Sequence, residues 1–285
     1  MAATEGVLLD ILNKTADYFK SKGIENYRLD AQLLLGHVLG MKRLELYMNF
    51  DRPLDAAELA RYRELVKRRA AREPLQHLLG TVPFRELTLK CDKRALIPRQ
   101  ETEIIVDLVR KKIEPGRKNQ ILDIGVGAGS IYLSLKKETP QCEIFGVDIS
   151  ADCIALAKEN AELNSLNAEN LFLGDALSPF AADMEWDIIV SNPPYIGKNE
   201  IQKLQPEVRD HDPVSALLGG EHGWEFPLTI IEQSFSHLKE CGHLILEIAD
   251  TQFSLLKEKS KQVGWKTCIS AKDLNGAERF ILFQK

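Results

Sequence analysis

The feature that most constrains this 285-residue chain is a short apolar strand, Gln120–Ile124, running into Gly125-Val126-Gly127-Ala128-Gly129 and on into a helical stretch, Ile131–Lys137. Glycines at alternate positions let a chain turn sharply between strand and helix and bring its backbone close to a ligand. The surroundings repeat the theme from about Glu101. Ile104–Val109 reads as helix, Glu143–Val147 as strand, Ala151–Leu163 as helix, and Leu171–Leu173, Asp187–Val190 and His243–Ile248 as further strands. Such alternation predicts an α/β fold, a mostly parallel sheet with helices on both faces. Trp265–Ser270 and Arg279–Phe283, separated by the polar turn Asp273-Leu-Asn-Gly276, predict a terminal antiparallel hairpin.

Residues 1–75 follow a different period. Val7-Leu8-Ile11-Leu12, Leu29-Leu33-Leu34-Val38-Leu39 and Leu54-Leu59-Tyr62-Leu65-Val66 place apolar residues three and four apart, with Gly23, Gly40 and Pro53 between them. That pattern predicts a small helical bundle closed by Pro74. Residues 76–100 read as a linker marked by Gly80 and Pro83, with a short hairpin within 84–97, and residues 101–285 as the α/β domain. No internal repeat and no low-complexity tract is present.

Charge divides the same way. Residues 1–100 carry 18 Lys and Arg against 13 Asp and Glu, whereas residues 101–285 carry 19 against 29, giving the net −5. An acidic larger part argues against extended nucleic acid as a partner. The run Arg61, Arg63, Lys67, Arg68, Arg69, Arg72 is either a solvated helix face or a docking face for an acidic protein. Five scattered cysteines without a C-x-x-C suit reduced thiols rather than disulfides or a metal site. No apolar run approaches the roughly 20 residues needed to span a bilayer. Glu5 and Asp10 inside the first apolar run argue against a signal peptide. A cytoplasmic monomer is expected.

Three acidic or glycine marks then fall at successive strand ends. Asp123 stands before the first glycine of the loop, whose third glycine comes one residue earlier than in the G-x-G-x-x-G of nicotinamide sites, since Ser130 holds that place. Asp148 closes the next strand, where a carboxylate can accept two ribose hydroxyls. Its competing role is helix N-cap, but Ser150 is the better cap and leaves Asp148 for a ligand. Gly174-Asp175-Ala176 follows the third strand, with Asp175 able to accept an adenine amine. A loop serving turn geometry alone is the competing reading for the glycines. Together the marks place a nucleoside along the strand carboxyl ends.

Ser191-Asn192-Pro193-Pro194-Tyr195 follows the fourth strand. Two prolines restrict φ and remove two donors, so the loop is stiff. The side-chain oxygen of Asn192 and the carbonyl of Pro193 can then accept both hydrogens of one planar –NH2 group, and the Tyr195 ring can lie against the group that carries it. As an ordinary turn the segment would be unremarkable; at this place in a nucleoside-binding sheet it points to chemistry on an amine or amide.

Asn-Pro-Pro-Tyr after such a glycine loop resembles S-adenosylmethionine-dependent methyltransferases that act on planar –NH2 nitrogens. Glu73-Pro-Leu-Gln-His77-Leu-Leu-Gly80, Leu96-Ile-Pro-Arg-Gln-Glu-Thr-Glu103, Ser191–Ile196 and Glu207-Val…Asp212-Pro…Ala216-Leu…Gly220 narrow the resemblance to the HemK-type family, the peptide chain release factor glutamine N5-methyltransferases. It covers nearly the whole chain. The resemblance implies a class I methyltransferase, Rossmann-like seven-stranded sheet with a terminal antiparallel hairpin, preceded by a helical substrate-docking domain. It implies S-adenosyl-L-methionine held by Asp123, Gly125, Val126, Gly127, Ala128, Gly129, Asp148, Asp175, Ala176 and Asn192. Substrate would meet Asn192, Pro193, Pro194 and Tyr195, with Asn192, Pro193 and Tyr195 catalytic and no metal. The family usually has hydroxyl residues at 126 and 128, proline at 100, and often a larger side chain at 176, where this chain has Val126, Ala128, Gln100 and Ala176. A ribosomal protein glutamine or an exocyclic base amine is the alternative substrate. A nicotinamide oxidoreductase fails on the loop spacing and leaves Asn-Pro-Pro-Tyr unexplained. No general base is nominated, and His211 reads as part of an ordered loop.

Overall fold

A heptad-like apolar stripe builds the first unit. In the computed structural model, which describes residues 6–285, the chain forms two compact units: residues up to Gly80 together with Pro206–His211, and Thr81–Gln205 together with Asp212–Lys285. Glu5, used above in reading the first segment, lies outside the described residues. The first unit contains α1 (Leu8–Ser21), α2 (Tyr27–Leu39), α3 (Arg43–Met48), α4 (Ala56–Ala70) and α5 (Leu75–Leu79). Leu8, Ile11, Leu12, Ala16 and Phe19 of α1 are buried against Ala31, Leu34 and Leu35 of α2 and Leu59 and Tyr62 of α4. Gly40 ends α2 in the left-handed region at φ 66°, and a capping box starts α4, where Asp55 accepts the Glu58 amide at 2.8 Å and Glu58 accepts the Asp55 amide at 3.1 Å. Pro74 does not close the bundle; it precedes one more helical turn, α5, whose Leu78 is buried in the same core.

The basic run divides between interior and surface. Arg69 is buried at 7% exposure, donating to Asp30 at 2.8 Å and to Glu207 at 2.9 Å, while Arg72 donates to Glu207 at 2.7 Å. Arg68 pairs with Glu73. Arg61, Arg63 and Lys67 are exposed.

The second unit opens with the hairpin β1 (Thr81–Phe84) and β2 (Leu87–Lys90), turned at Arg85 with φ 49°. The hairpin expected within 84–97 thus lies earlier: the left-handed Arg85 splits what reads in sequence as one alternating run. There follow α6 (Glu103–Arg110), β3 (Gln120–Ile124), α7 (Ser130–Glu138), β4 (Glu143–Asp148), α8 (Ala151–Leu163), β5 (Leu171–Leu173), β6 (Trp186–Ser191), β7 (Ile196–Gly197), α9 (Pro206–Arg209, in the first unit), β8 (Leu218–Gly220), α10 (Glu225–Ser236), β9 (Leu238–Glu247), α11 (Phe253–Lys259), β10 (Thr267–Lys272) and β11 (Glu278–Gln284).

Seven strands form one sheet in the order β10-β11-β9-β6-β3-β4-β5, parallel from β9 to β5, with β11 antiparallel to both its neighbours. This is the seven-stranded Rossmann-like arrangement with the terminal hairpin that the resemblance implies. Alternate strand residues feed two cores. Ile121, Ile188, Val190 and Ile245 pack with α6, α7 and the β1–β2 hairpin, and Leu122, Ile124, Ile189, Leu244 and Leu246 pack with α10 and α11. Strand order reverses between β3 and β6, and a crevice opens at such a point beyond the strand carboxyl ends.

Removing one partner of a buried charge pair leaves the other uncompensated. Arg69→Ala should lower stability by about 3–5 kcal/mol, whereas Arg61→Ala should stay within about 0.5 kcal/mol of the parent; urea denaturation of the two variants measures the difference.

Candidate active site

The crevice is built where the glycine loop after β3 and the Asn-Pro-Pro segment after β6 lie side by side. Ile124 is paired opposite Ser191, and the Ser191 hydroxyl donates to the Ile124 carbonyl at 2.6 Å, so both strand ends are locked at one level. The cavity there is lined by Gly125, Val126, Gly127 and Ala128, by Asp148, by Asp175 and Ala176, and by Asn192, Pro193 and Pro194. Ala95–Arg99 and Thr102, from the segment before α6, cover its other side.

The loop geometry depends on its glycines. Gly127 has φ 54° and its amide donates to Asp148 Oδ2 at 2.9 Å. Gly129, at φ 87°, caps α7, and an added Cβ would stand 3.3 Å from Ala157 Cβ of α8. At Gly125 an added Cβ would meet nothing within 4 Å, so a ligand has room to approach the backbone. Asn160 of α8, buried, ties the loop to the hairpin by donating to the Ala128 carbonyl at 2.8 Å and accepting the Lys90 amide at 2.6 Å.

Ser150 caps α8 as expected, accepting the Cys153 amide at 3.3 Å. Asp148, however, is not left free: its second oxygen, Oδ1, accepts the Ser150 amide at 2.9 Å. Asp148 still lines the cavity, and a carboxylate with about four acceptor sites retains capacity for a ligand there. Asp175 is exposed, and Ala176 is buried with φ 45°, in the left-handed region without a glycine to announce it.

Three of the sequence-derived residues do not reach the cavity wall. Asp123 is fully buried and accepts the Tyr132 amide at 3.0 Å at the start of α7. Burial, with the nearby Asp148 charge adding and the Tyr132 amide opposing, pushes its carboxyl up to about 8. Gly129 lies behind the loop. Tyr195 turns its phenol away from the crevice to Glu247 Oε1 at 3.3 Å, and burial first, then the Glu247 charge, keeps that phenol protonated and donating.

The structure adds residues that sequence reasoning missed. Asn192 Nδ2 donates to Thr102 Oγ1 at 3.1 Å, and that hydroxyl donates to the buried Glu247 Oε2 at 2.8 Å. Gln252 donates to the Tyr195 carbonyl at 2.9 Å. Arg99, on the cavity wall, donates to the buried Asp212 at 2.8 Å. The available signal was a charged residue ending an otherwise apolar strand, Leu244-Ile245-Leu246-Glu247.

Comparison with known proteins settles the family. Residues 10–80 match the PrmC N-terminal domain and residues 100–207 the methyltransferase small domain. A release factor glutamine methyltransferase of Geobacter sulfurreducens is 40% identical over 95% of this chain and 94% of its own length. The chain belongs to the release factor glutamine methyltransferase family. A second member, from Rhodopirellula baltica, is 34% identical over 99% of this chain and 97% of its own. Among solved structures, a methyltransferase from Pyrococcus furiosus superposes with a TM-score of 0.51 at 20% identity, covering 70% of this chain and 89% of that one, which bears on the fold. The cofactor of this methyltransferase is S-adenosylmethionine. The residues present fit it, with open space before Gly125, unused acceptor capacity on Asp148 and an apolar wall at Ala176. No helix among the described residues is long and apolar enough to cross a membrane.

Two measurements test this geometry. Because the Asp123 carboxyl is raised in the folded chain, the folded state's disadvantage grows as pH rises from about 4, where the unfolded carboxyl ionises, to about 8. Asp123→Asn, which keeps an acceptor for the Tyr132 amide, should therefore gain stability over the parent progressively across that range and little at its acid end, read by urea denaturation at each pH. Asp148→Ala should weaken S-adenosylmethionine binding by about 1.5–3 kcal/mol, the worth of hydrogen bonds to a charged group; titration calorimetry reads it.

Proposed function

We propose that this chain methylates the side-chain N5 nitrogen of the glutamine in the Gly-Gly-Gln motif of peptide chain release factors. The observation that carries the reading is the Asn192 carboxamide at the cavity wall, its –NH2 held by Thr102 so that Oδ1 remains for another donor, beside Pro193 and Pro194. A glutamine preceded by two glycines has no side chains on that side to obstruct entry into a crevice whose reactive loop is stiffened by two prolines.

Glutamine's amide nitrogen is a poor nucleophile, since its lone pair is delocalised. When bound, S-adenosylmethionine supplies an electrophilic sulfonium methyl with a neutral leaving group. The task left to the chain is positioning and electrostatics. Asn192 Oδ1 and the Pro193 carbonyl accept the two amide hydrogens, orient the nitrogen and favour the positive charge that develops on it. Asp148 and the Gly125–Gly129 backbone would hold the nucleoside, with Asp175 and Ala176 at its base. The nitrogen loses its proton to water after transfer, so no base is assigned.

The helical unit is proposed to dock the intact factor. Supporting this, Leu44 and Met48 of α3 are 70% and 72% exposed, Tyr47 and Phe50 are also exposed, and Arg61 and Lys67 supply positive charge to the same unit. A cytoplasmic, monomeric enzyme acting on protein rather than extended nucleic acid completes the reading; the acidic balance of residues 101–285 supports the last point.

With labelled methyl groups, transfer to the glutamine nitrogen of a purified release factor is the expected result, and label on adenine or guanine instead would overturn the substrate assignment. Asn192→Ala should reduce kcat by about a hundred- to thousandfold, the cost of losing one such contact. Leu44→Ser with Met48→Ser should raise KM for whole factor and leave KM for a short Gly-Gly-Gln peptide unchanged.

A further inference from the structure

Thr102, Asn192, Tyr195 and Glu247 form one chain of hydrogen bonds, and only Asn192 and Thr102 reach the cavity. Its polarity follows from counting protons. An ionised carboxylate only accepts. Thr102 Oγ1, 2.8 Å from Glu247 Oε2, must therefore send its single proton there. The hydroxyl then offers only lone pairs to Asn192, 3.1 Å away, so the –NH2 of that carboxamide must face Thr102 and Oδ1 must face the cavity. The Tyr195 phenol donates to the other carboxylate oxygen and so leaves this direction unchanged.

We propose that Glu247, acting through Thr102, is the positioning residue that sets which end of the Asn192 carboxamide meets the substrate amide. This deepens the proposed function and rests on its reading of Asn192. A proton on Glu247 Oε2 would release the Thr102 hydroxyl to donate towards Asn192. The carboxamide would then be stable when flipped, presenting –NH2 to the substrate's –NH2, two donors face to face.

The surroundings of Glu247 make this a titrating arrangement. Burial pushes its carboxyl up to about 7, opposed by the hydrogen bonds from Thr102 and Tyr195 and by the charge of Arg279 on β11, and aided by Glu101 before α6. Arg99, from the same segment as Glu101, acts on the neighbouring phenol. Ionised Glu247 is the active form, so kcat should fall as pH drops through the carboxyl's midpoint.

The test combines kinetics with a measurement on the free protein. In the wild type, NMR of 13C-labelled glutamate side chains should show a carboxyl titrating near 7, absent in Glu247→Gln and shifted upward in Thr102→Val, which loses a hydrogen bond to the ionised form. Both variants should lose up to about a hundredfold in kcat, the effect of a misplacement of order 1 Å, with S-adenosylmethionine affinity and folding retained. The acid limb of kcat should vanish in Glu247→Gln, Thr102→Ser should restore activity, and the double variant should be no worse than the more damaged single one. Wild-type kcat in Thr102→Val, additive losses in the double variant, or an unchanged acid limb in Glu247→Gln would overturn the proposal. If Asn192→Ala itself leaves kcat intact, the underlying reading of Asn192 fails; if Asn192→Ala is impaired while Glu247→Gln and Thr102→Val are not, only the positioning role fails.

Discussion

The parallel pairing of β3 with β6 is the constraint on which the site depends. These strands are far apart in sequence and carry the two segments with chemistry, the glycine loop and Asn-Pro-Pro-Tyr. Their register, with Ile124 opposite Ser191, brings both segments to one edge of the sheet. A shift of one residue would turn Ile121 and Leu122 to the wrong faces and mix two cores that the alternation keeps separate. Burial of those apolar residues therefore fixes the site as firmly as it fixes the sheet. The Ser191 hydroxyl, donating to the Ile124 carbonyl, adds a side-chain tie at the last rung.

On that platform the charged groups are used for architecture before chemistry. Asp148 joins the β3 loop to the start of α8 by accepting the Gly127 and Ser150 amides, which shapes the loop and still leaves acceptor capacity. In the helical unit, Arg69 does the corresponding task with Asp30 and Glu207, the latter supplied by a segment more than a hundred residues later in the chain. The cost of burying such pairs is offset only when each charge is fully partnered.

How much of this was legible in the sequence follows the range of the interactions. β3, α8 and β5 could be placed to the residue because their signals are local: a buried apolar run, a serine cap, a polar boundary. The glycine loop and Asn192–Tyr195 are local as well. The hairpin at 81–90 was misplaced because Arg85 adopts a left-handed turn that no glycine announces. Of the two amides that Asp148 accepts, the Ser150 partner is local, whereas the Gly127 partner comes from a different strand's loop and has no local signal. Thr102 and Glu247, 145 residues apart, are joined only by the tertiary fold. Arg69 could have been found: spaced three after Val66 and seven after Tyr62, it falls on the apolar stripe of α4 rather than on its basic face.

The placement of charge around Asn192 fits the reaction's own electrostatics. Methyl transfer from a sulfonium to an amide moves positive charge onto the nitrogen without creating any. A carboxylate at the cavity wall beside both centres would attract the charge before transfer about as strongly as during it, and uniform binding of that kind does not lower the barrier. In the proposed reaction, neutral dipoles at the nitrogen, the Asn192 carboxamide and the Pro193 carbonyl, would respond to where the charge ends up. Glu247 lies off the cavity wall, behind Thr102, close enough to orient the dipole and removed from direct contact with the reacting atoms. A buried carboxylate is costly to keep ionised, and here its two oxygens each accept a hydroxyl proton, with Arg279 adding an opposing charge. The same fold element thus serves two ends: the strand β9 fills the core through Leu244 and Leu246, and its last residue sets the direction of a hydrogen bond at the site.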